Sequence, residues 1–301
     1  MLLSLPPQVI QQAAASALAE DAPWGDVTSQ AFLPPGARGR LAVRFRQAGV
    51  AAGLPVAKEV FAQAAPGMTW LDGDGQTENQ GDCRWEGQPV TAGQVVATVE
   101  GPLAGLLLGE RSALNFMQRL SGIATLTAEY VNAVGEVSPH PRVAATRKTT
   151  PGLRALEKYA VTAGGGLPHR FGLSDGVLVK DNHWAALRAG GMTLAQAVSR
   201  AQEQLPHGLM IQVEVETEAE AREAMEAGAH SLLLDNMPPE EMRRVVVMVR
   251  DWQGRGVLVE ASGRMTLDKA RAAAEAGVDI ISVGALTHSA PALDIGLDWD
   301  L

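Results

Sequence analysis

Charged side chains suited to anion chemistry come at the ends of short apolar runs in this sequence. Arg147 and Lys148 end one run, and Lys180 ends the next. Glu214 lies in a third run, and Asp235 ends a fourth. Arginine forks match carboxylates, lysine is a point charge suited to phosphate, and acids opposite them can face a developing positive charge or a metal ion. The set predicts a site for a small polyanion.

The segment from residue 141 to residue 190 is basic, although the whole chain is acidic. It holds eight Lys or Arg residues and three acids, whereas the formal net charge of the chain is −9. A basic concavity on an acidic protein attracts small anions. No tract of Lys and Arg stands out, so we expect no nucleic-acid partner.

The run Met210–Glu216 predicts which side chains enter the interior of a sheet. A strand alternates its faces, so the apolar residues share one face, and Gln212, Glu214 and Glu216 share the other. Burying a carboxylate costs on the order of several kcal/mol unless cations, a metal or hydrogen bonds compensate. Two interpretations stay open: an internal salt-bridge network, or a ligand site shared by cations and acids.

The second part of the chain alternates short apolar runs with amphipathic stretches, and these elements must position the charged residues. This order predicts a parallel sheet with helical crossovers, and six or more such units favour an α/β fold closed into a barrel. Barrel chemistry lies at the carboxyl ends of the strands. No G-x-G-x-x-G follows the first strand, which disfavours a dinucleotide-binding fold. The predicted strands are Val143–Thr146, Gly176–Lys180, Met210–Glu216, Ser231–Asn236, Gly256–Gly263 and Asp279–Leu286, and the predicted helices are Thr193–Gln204, Glu218–Ala227, Glu240–Trp252 and Thr266–Ala276.

Glycines in two segments could bring backbone close to a ligand. Gly164, Gly165 and Gly166 are consecutive, which suits close approach or loop movement, or a plain flexible connector. Gly284 ends a predicted strand without a side chain, as a backbone N–H cradle for phosphate requires.

Residues 1–110 have a different pattern, typical of a mixed α+β domain. Helices are expected at Pro7–Glu20 and Val56–Ala64, and strands at Leu41–Phe45 and Gln94–Glu100. The 301 residues suit two domains, the second being the barrel at 111–289.

The sequence predicts a cytoplasmic protein. Cys83 is the only cysteine, which excludes an intrachain disulfide and suits a reducing compartment. The N-terminus does not have the pattern of a signal peptide, and no window is long and apolar enough to span a membrane.

A series of motifs in order along the chain resembles the quinolinate phosphoribosyltransferase family. One motif alone would be weak evidence, but the series covers much of the chain and is highly specific. The stretches are GDVTS at Gly25–Ser29, Glu110–Thr125, Ala145–Gly166, HRFGLSD at His169–Asp175, KDNH at Lys180–His183, VEVE at Val213–Glu216, LLDN at Leu233–Asn236, EASG at Glu260–Gly263, and Asp279–Asp298.

The resemblance implies an incomplete, seven-stranded β/α barrel with an N-terminal mixed α/β sandwich domain. It also implies that the tail at 290–301 packs on the N-terminal domain. A homodimer or a larger homo-oligomer is expected, in which Arg111 of one subunit reaches the active site of its partner.

The resemblance further implies which residues bind quinolinate and phosphoribosyl pyrophosphate. Lys148, Glu214 and Asp235 are the expected catalytic residues, and the two acids would hold Mg²⁺ directly or through water. Arg264 departs from the family, in which a small or neutral residue often follows the Ser-Gly pair. The expected substrate-binding residues are Arg111, Thr146, Arg147, Lys148, His169, Arg170, Lys180, Glu214, Asp235, Ser262, Gly263, Arg264, Gly284, Ala285 and Leu286.

The expected reaction, a step of NAD biosynthesis, joins quinolinate to the phosphoribosyl group and releases pyrophosphate and CO2. Arg111, Arg147 and Arg170 would hold the two carboxylates. Two alternatives remain: a paralogous phosphoribosyltransferase of the same fold that uses another acceptor, or a catalytically silent barrel that binds a polyanion. The pair Glu214 and Asp235 argues against the silent barrel, because anion binding alone gains nothing from buried acids.

Overall fold

The computed structural model describes residues 4–73, 83–253 and 256–300. The chain forms two compact units that are interleaved in sequence. The first unit comprises Met1–Ala128, Thr150–Gly165 and Ser289–Leu301, and the second comprises Glu129–Thr149 and Gly166–His288. No helix in the described part of the chain is both long and apolar enough to cross a membrane.

The first unit contains an antiparallel sheet of four strands and several helices. The last helix before the second unit runs on into that unit. In chain order the elements are α1 (Pro7–Asp21), α2 (Val27–Phe32), β1 (Arg38–Phe45), β2 (Gly49–Val50), α3 (Leu54–Ala64), β3 (Thr69–Asp72), β4 (Pro89–Val90), β5 (Val95–Pro102), α4 (Leu103–Gly135), α5 (Arg154–Ala163) and β12 (Ile295–Trp299).

The sheet of the first unit joins distant parts of the chain. Its strand order is β12-β1-β5-β3, and every neighbouring pair is antiparallel. Along β1, Leu41, Val43 and Phe45 are buried with the apolar residues of α3 and α4, so one face of the strand supplies the core. Ion pairs between Arg44 or Arg46 and Asp298 add to the β1–β12 edge.

Two acids begin helices in the first unit. Asp26 accepts hydrogen bonds from the backbone N–H groups of Thr28 and Ser29, at 2.9 and 3.1 Å, and so caps α2. Hydrogen bonds from Ser29 lead the interactions that lower the pKa of Asp26. Glu86 is buried and accepts from the N–H groups of Gly53 and Leu54 at the start of α3. Asp26 belongs to the GDVTS motif at Gly25–Ser29, so this motif contains the cap of helix α2.

The second unit is built on a parallel sheet of six strands, with helices between successive strands. The strand order is β6-β11-β10-β9-β8-β7, and each neighbouring pair is parallel. In chain order the elements are β6 (Arg142–Ala144), β7 (Val177–Val179), α6 (Asp181–Ala189), α7 (Leu194–Gln204), β8 (Ile211–Val215), α8 (Glu218–Glu226), β9 (Ser231–Asp235), α9 (Pro239–Asp251), β10 (Leu258–Ser262), α10 (Leu267–Ala276), β11 (Ile280–Ser282) and α11 (Ala285–His288).

The predicted α/β class and parallel sheet are confirmed, with two local corrections. The run expected to be a strand from Asp279 to Leu286 ends at Ser282, and α11 follows it, because Thr287 and His288 donate backbone hydrogen bonds to Gly284 O. Glu216 does not enter the sheet interior; it follows β8 and is exposed.

The three consecutive glycines, Gly164 to Gly166, directly follow the C-terminal end of α5 and do not line the cavity described below. A Cβ on Gly164 would lie 2.3 Å from the carbonyl oxygen of Ala124 on α4, and Gly165 has a φ of +88°. These positions therefore need glycine for close packing and for a left-handed turn.

Candidate active site

A cavity of about 420 Å³ lies in the second unit, where the strands of its parallel sheet reach their carboxyl ends. This volume is within the range of small-molecule sites, roughly 300–1,000 Å³. Because parallel strands end at one edge, residues far apart in sequence meet there. The lining residues are Thr146, Arg147, Lys148, His169, Arg170, Leu178, Lys180, Glu214, Leu233, Asp235, Glu260, Ser262 and Ser282.

Four permanent or near-permanent cations line this cavity: Arg147, Lys148, Arg170 and Lys180. Arg170 is held in place, since its Nη1 donates to the carbonyl oxygen of Gly176 at 2.8 Å. Burial and the nearby charge of Arg147 lower the pKa of Arg170, which is the electrostatic signature of cations brought together. The buried Nε of Arg147 has no hydrogen-bond partner among the described residues. An anion that enters the cavity would reduce the repulsion between Arg147 and Arg170 and would accept a hydrogen bond from Arg147 Nε.

Two acids face these cations from adjacent strands. Glu214 is 11% exposed and accepts a hydrogen bond from Lys180 Nζ, while its backbone oxygen accepts from Trp184 Nε1 at 3.1 Å. Asp235, at the end of β9, accepts from Asn236 Nδ2 at 2.7 Å. The Lys180–Glu214 pair fits the salt-bridge interpretation, and the unsatisfied Arg147 fits the ligand-site interpretation.

Glu260 is a third acid of the cavity, and it was not among the residues predicted to form the site. Its side chain is 2% exposed, and it accepts hydrogen bonds from Ser282 Oγ and, at 2.7 Å, from Gln212 Nε2. His169 Nε2 lies 3.3 Å from Glu260 Oε1. Burial by itself raises the pKa of Glu260, but the interactions with His169, Ser282 and Gln212 outweigh it and hold that pKa below its ordinary value.

Comparisons with known proteins match the whole described fold. Models of the N-terminal and C-terminal domains of quinolinate phosphoribosyl transferase match residues 26–121 and 123–298. A Bacillus subtilis protein named "Probable nicotinate-nucleotide pyrophosphorylase (carboxylating)" is 41% identical over 94% of this chain and 90% of its own length. The Homo sapiens nicotinate-nucleotide pyrophosphorylase (carboxylating) is 38% identical over 99% of this chain and 94% of its own. The crystal structure of NadC from Streptococcus pyogenes is 35% identical, with a TM-score of 0.86 and 99% of both chains covered.

This chain belongs to the quinolinate phosphoribosyltransferase family. The family resemblance in the sequence is therefore confirmed.

Nine of the fifteen residues expected from the family to bind substrates line the cavity. They come from the loops after β6 and before β7, from the end of β7, and from β8, β9 and β10. The nine are Thr146, Arg147, Lys148, His169, Arg170, Lys180, Glu214, Asp235 and Ser262.

The other six expected family residues are not among those that line the cavity. Arg111 is exposed on α4 in the first unit, whereas all residues that line the cavity belong to the second. Arg264 is exposed and lines a separate cavity of about 130 Å³ beside Asn236 and Lys269. Leu286 is fully buried in α11, and Ala285 is half-buried at the start of that helix.

Two family glycines shape the surroundings of the cavity without lining it. Gly263 has a φ of +120°, and a Cβ there would lie 2.5 Å from Asn236 Oδ1. A Cβ on Gly284 would lie 3.0 Å from Lys148 Cδ and 3.2 Å from His288 Nε2. Any other residue at position 284 would therefore press on Lys148.

The described residues contain no group of three or more His, Cys, Asp and Glu side chains that could hold a metal ion. A magnesium ion that is bound mainly by substrate phosphates and water needs only one or two protein carboxylates. Glu214 and Asp235 on adjacent strands fit that limited role.

A larger groove of about 650 Å³ on α8 and α9 is a weaker candidate site for the family's chemistry. Its charges are already matched, since Arg243 pairs with Glu240 at 2.8 Å and Arg244 with Glu218 at 3.4 Å. Surface pairs of this kind contribute little and leave no net charge for a ligand.

Proposed function

We propose that this chain catalyses the decarboxylating transfer of a phosphoribosyl group to quinolinate, which gives nicotinate mononucleotide, CO2 and pyrophosphate. The observation that carries the proposal is one cavity that joins four cations with Glu214 and Asp235. Both substrates are polyanions, and their reaction passes through a cationic sugar. The printed names of the relatives, carboxylating nicotinate-nucleotide pyrophosphorylases, support this substrate class.

The dicarboxylate would be held by Arg147, Arg170 and His169. The unpartnered buried atoms of Arg147 and His169 support this assignment. Arg147 Nε is a donor whose burial without a partner is costly, and a carboxylate would satisfy it. His169 Nδ1 would donate to a carboxylate in the same way when both ring nitrogens carry a proton. Arg111, which is exposed on the first unit, would complete the set from a partner subunit.

The phosphoribosyl donor would occupy the lysine and glycine side of the cavity. Lys148 suits a phosphate contact, because its backbone is held by Thr146 Oγ1 and Thr287 Oγ1 while its side chain is exposed. Lys180 and Ser262 line the same cavity. Gly284 and the backbone of Ala285 and Leu286 would cradle the sugar phosphate, with Thr146, Gly263 and Arg264 as neighbouring contacts.

The chemistry needs no covalent enzyme intermediate. The pyridine nitrogen gives its electron pair to the anomeric carbon, and pyrophosphate leaves with the electron pair of the bond that breaks. Glu214 and Asp235 stabilise the positive charge that develops on the sugar. The carboxylate beside the new quaternary nitrogen then leaves as CO2, its bonding electrons stay on the ring carbon, and that carbon takes a proton from water.

Glu214 and Asp235 would hold Mg²⁺, directly or through water, together with the substrate's phosphates. Bound there, the metal would neutralise charge on the departing pyrophosphate. The protein's own contribution is mainly positioning and charge.

The finer architecture belongs to the same proposal. The second unit would be an incomplete barrel of seven strands, with Leu167 on the seventh. Leu167 forms an isolated parallel bridge with Ala144, donates to Val143 O at 2.8 Å, and accepts from Ala145 N at 2.9 Å.

The protein would work as a homodimer or larger homo-oligomer, which the exposed apolar side chains of Trp24, Val27 and Phe32 support.

A direct assay tests the proposed reaction. Purified protein is mixed with phosphoribosyl pyrophosphate, Mg²⁺ and either quinolinate or nicotinate, and nicotinate mononucleotide is measured. We expect product and CO2 from quinolinate only; product from nicotinate alone would favour a paralogous transferase, and no product would favour a silent barrel.

Lys148→Ala tests the assignment of the cavity. Loss of this charge should lower kcat by roughly 10²–10³-fold, the usual effect of removing one transition-state contact. Lys269→Ala, at an exposed lysine on α10, is the matched control and should retain wild-type turnover. Normal turnover by Lys148→Ala would remove this lysine from the mechanism.

A further inference from the structure

The acid Glu260 has no role in the reaction described above, although it lies in the cavity and is almost fully buried. A buried carboxylate in an anion-binding site opposes binding by simple Coulomb repulsion. We propose that Glu260 is a positioning residue that orients His169 toward the aromatic dicarboxylate. This inference rests on the proposed function and assigns one determinant of its substrate specificity.

Glu260 is fixed by residues from two other strands of the sheet. Ser282 on β11 donates to Oε1, and Gln212 on β8 donates to Oε2 at 2.7 Å. Glu260 itself lies on β10, whose neighbours in the sheet are β9 and β11. The carboxylate therefore has a fixed position before any ligand arrives, as a group that orients another must have.

His169 needs such a support, because its backbone and its ring are both unusual. It has a φ of +55°, in the left-handed region that non-glycine residues rarely adopt. Its Nε2 is 3.3 Å from Glu260, whereas its buried Nδ1 has no partner among the described residues. With Nε2 donating to Glu260, Nδ1 is the ring nitrogen left to meet a ligand, and it donates to a carboxylate when both ring nitrogens carry a proton.

The decisive experiment compares the two substrates in the variant Glu260→Gln. An amide of the same shape loses the charge-assisted contact that fixes the histidine ring. We expect the KM for quinolinate to rise about tenfold or more, while the KM for phosphoribosyl pyrophosphate changes less than about twofold. Calorimetric binding of quinolinate alone should weaken by a similar factor, without any dependence on turnover.

The sign of the effect separates positioning from simple electrostatics. If Glu260 only adds negative charge, Glu260→Gln would bind quinolinate more tightly, and the proposal would be wrong. It would also be wrong if both KM values changed by the same factor. In a His169→Gln background, Glu260→Gln should add less than about a twofold change, because the two residues act as a unit.

Two further variants separate this role from folding and from the proposed function itself. Asp279→Asn removes a carboxylate that directly precedes β11, accepts from Val259 N and Arg250, and does not line the cavity; it should leave the ratio of the two KM values unchanged. Ser282→Ala keeps Glu260 and His169 and should raise the quinolinate KM about two- to fivefold, which decides the matter if Glu260→Gln does not fold. A wild-type protein inactive with quinolinate would refute the proposed function. An active wild type whose quinolinate KM is matched by Glu260→Gln and by Ser282→Ala would refute only the role of Glu260.

Discussion

Glu86 shows how one buried acid can link the stability of this protein to pH. Its two oxygens accept hydrogen bonds from Gly53 and Leu54 at 2.8 and 2.9 Å, where the first N–H groups of α3 are otherwise unpaired. Burial raises the pKa of Glu86 to about 7, although hydrogen bonds from Gly53, Leu54 and Tyr159 act in the opposite direction. The folded chain thus binds a proton that the unfolded chain releases near pH 4.5.

The variant Glu86→Gln should remove a pH-dependent part of the free energy of unfolding. A raised carboxyl pKa contributes stability that is fully present below pH 4.5 and is lost as the pH rises to about 7. We expect the wild type to lose about 2.5 kcal/mol relative to Glu86→Gln between pH 5 and pH 8. Urea unfolding of both proteins across this range measures the difference, and a constant difference would contradict the assignment.

For single residues, the sequence predicts which charged side chains meet at the cavity better than it predicts the contacts between them. Arg147, Lys180, Glu214 and Asp235 could be placed together because each follows an apolar run, and parallel strands share an edge. Glu260 gave the same signal, an acid inside the apolar run at 258–262, but its histidine partner is in a loop. No periodicity predicts that contact, because the loop conformation depends on the left-handed backbone of His169.

Among the elements, helix α4 depends on glycines that let other backbone segments approach it. A Cβ on Gly105 would lie 2.5 Å from the carbonyl oxygen of Ala64, and one on Gly122 would lie 1.9 Å from that of Pro291. Neither carbonyl is the end of a flexible side chain, so neither can move aside cheaply. These glycines set the distance between α4 and its neighbours in the first unit.

Gly122→Ala should therefore destabilise the protein, although alanine is the better helix former. We expect a loss of more than about 2 kcal/mol, because overpacking against backbone outweighs helix propensity. Gly135→Ala, in the same helix with no described atom within 4 Å of the added Cβ, should be neutral or stabilise by no more than about 1 kcal/mol. Thermal and urea unfolding measure the free energy of unfolding of the two variants. Equal values would show that the backbone at 290–292 can move away from the added methyl group at little cost, and would contradict the prediction.

The elements were predictable where their periodicity was strong. The helices α7 to α10 follow the predicted stretches to within one residue or two at each end, because their apolar residues recur at helical spacing. Helix α4 was not predicted, since its 33 residues include several glycines, which are poor helix formers. The boundary between β11 and α11 was missed because the apolar run continues across both elements.

At the scale of the whole molecule, Arg111 is the expected substrate contact that would come from a second copy of the chain. It is exposed on the first unit, and the residues lining the cavity are all in the second. We expect a second copy of the chain to supply it, as the family resemblance implies, because its guanidinium can pair with one carboxylate of quinolinate. The homodimer, the magnesium ion and a domain boundary at residue 110 stay predictions.

Mixing two inactive variants tests the supply of Arg111 by a partner. Arg111→Ala and Lys148→Ala each inactivate the site, but a mixed dimer contains one site with both residues intact. After subunit exchange in equal amounts, activity should recover to about a quarter of the wild-type rate, because half the dimers are mixed and each has one good site. Recovery should be absent if Arg111 acts within its own chain, and sedimentation gives the oligomeric state of the same samples.

The pairing of β1 with β12 has a consequence for how the protein is made. Arg44 and Asp298, which meet across this pair, are 254 residues apart. A ribosome adding about 5–20 residues per second needs roughly 10–50 seconds to cover that distance. Throughout that interval the outer edge of β1 is exposed on the nascent chain, and its arginines, rather than a neighbouring strand, must keep it from pairing with other chains.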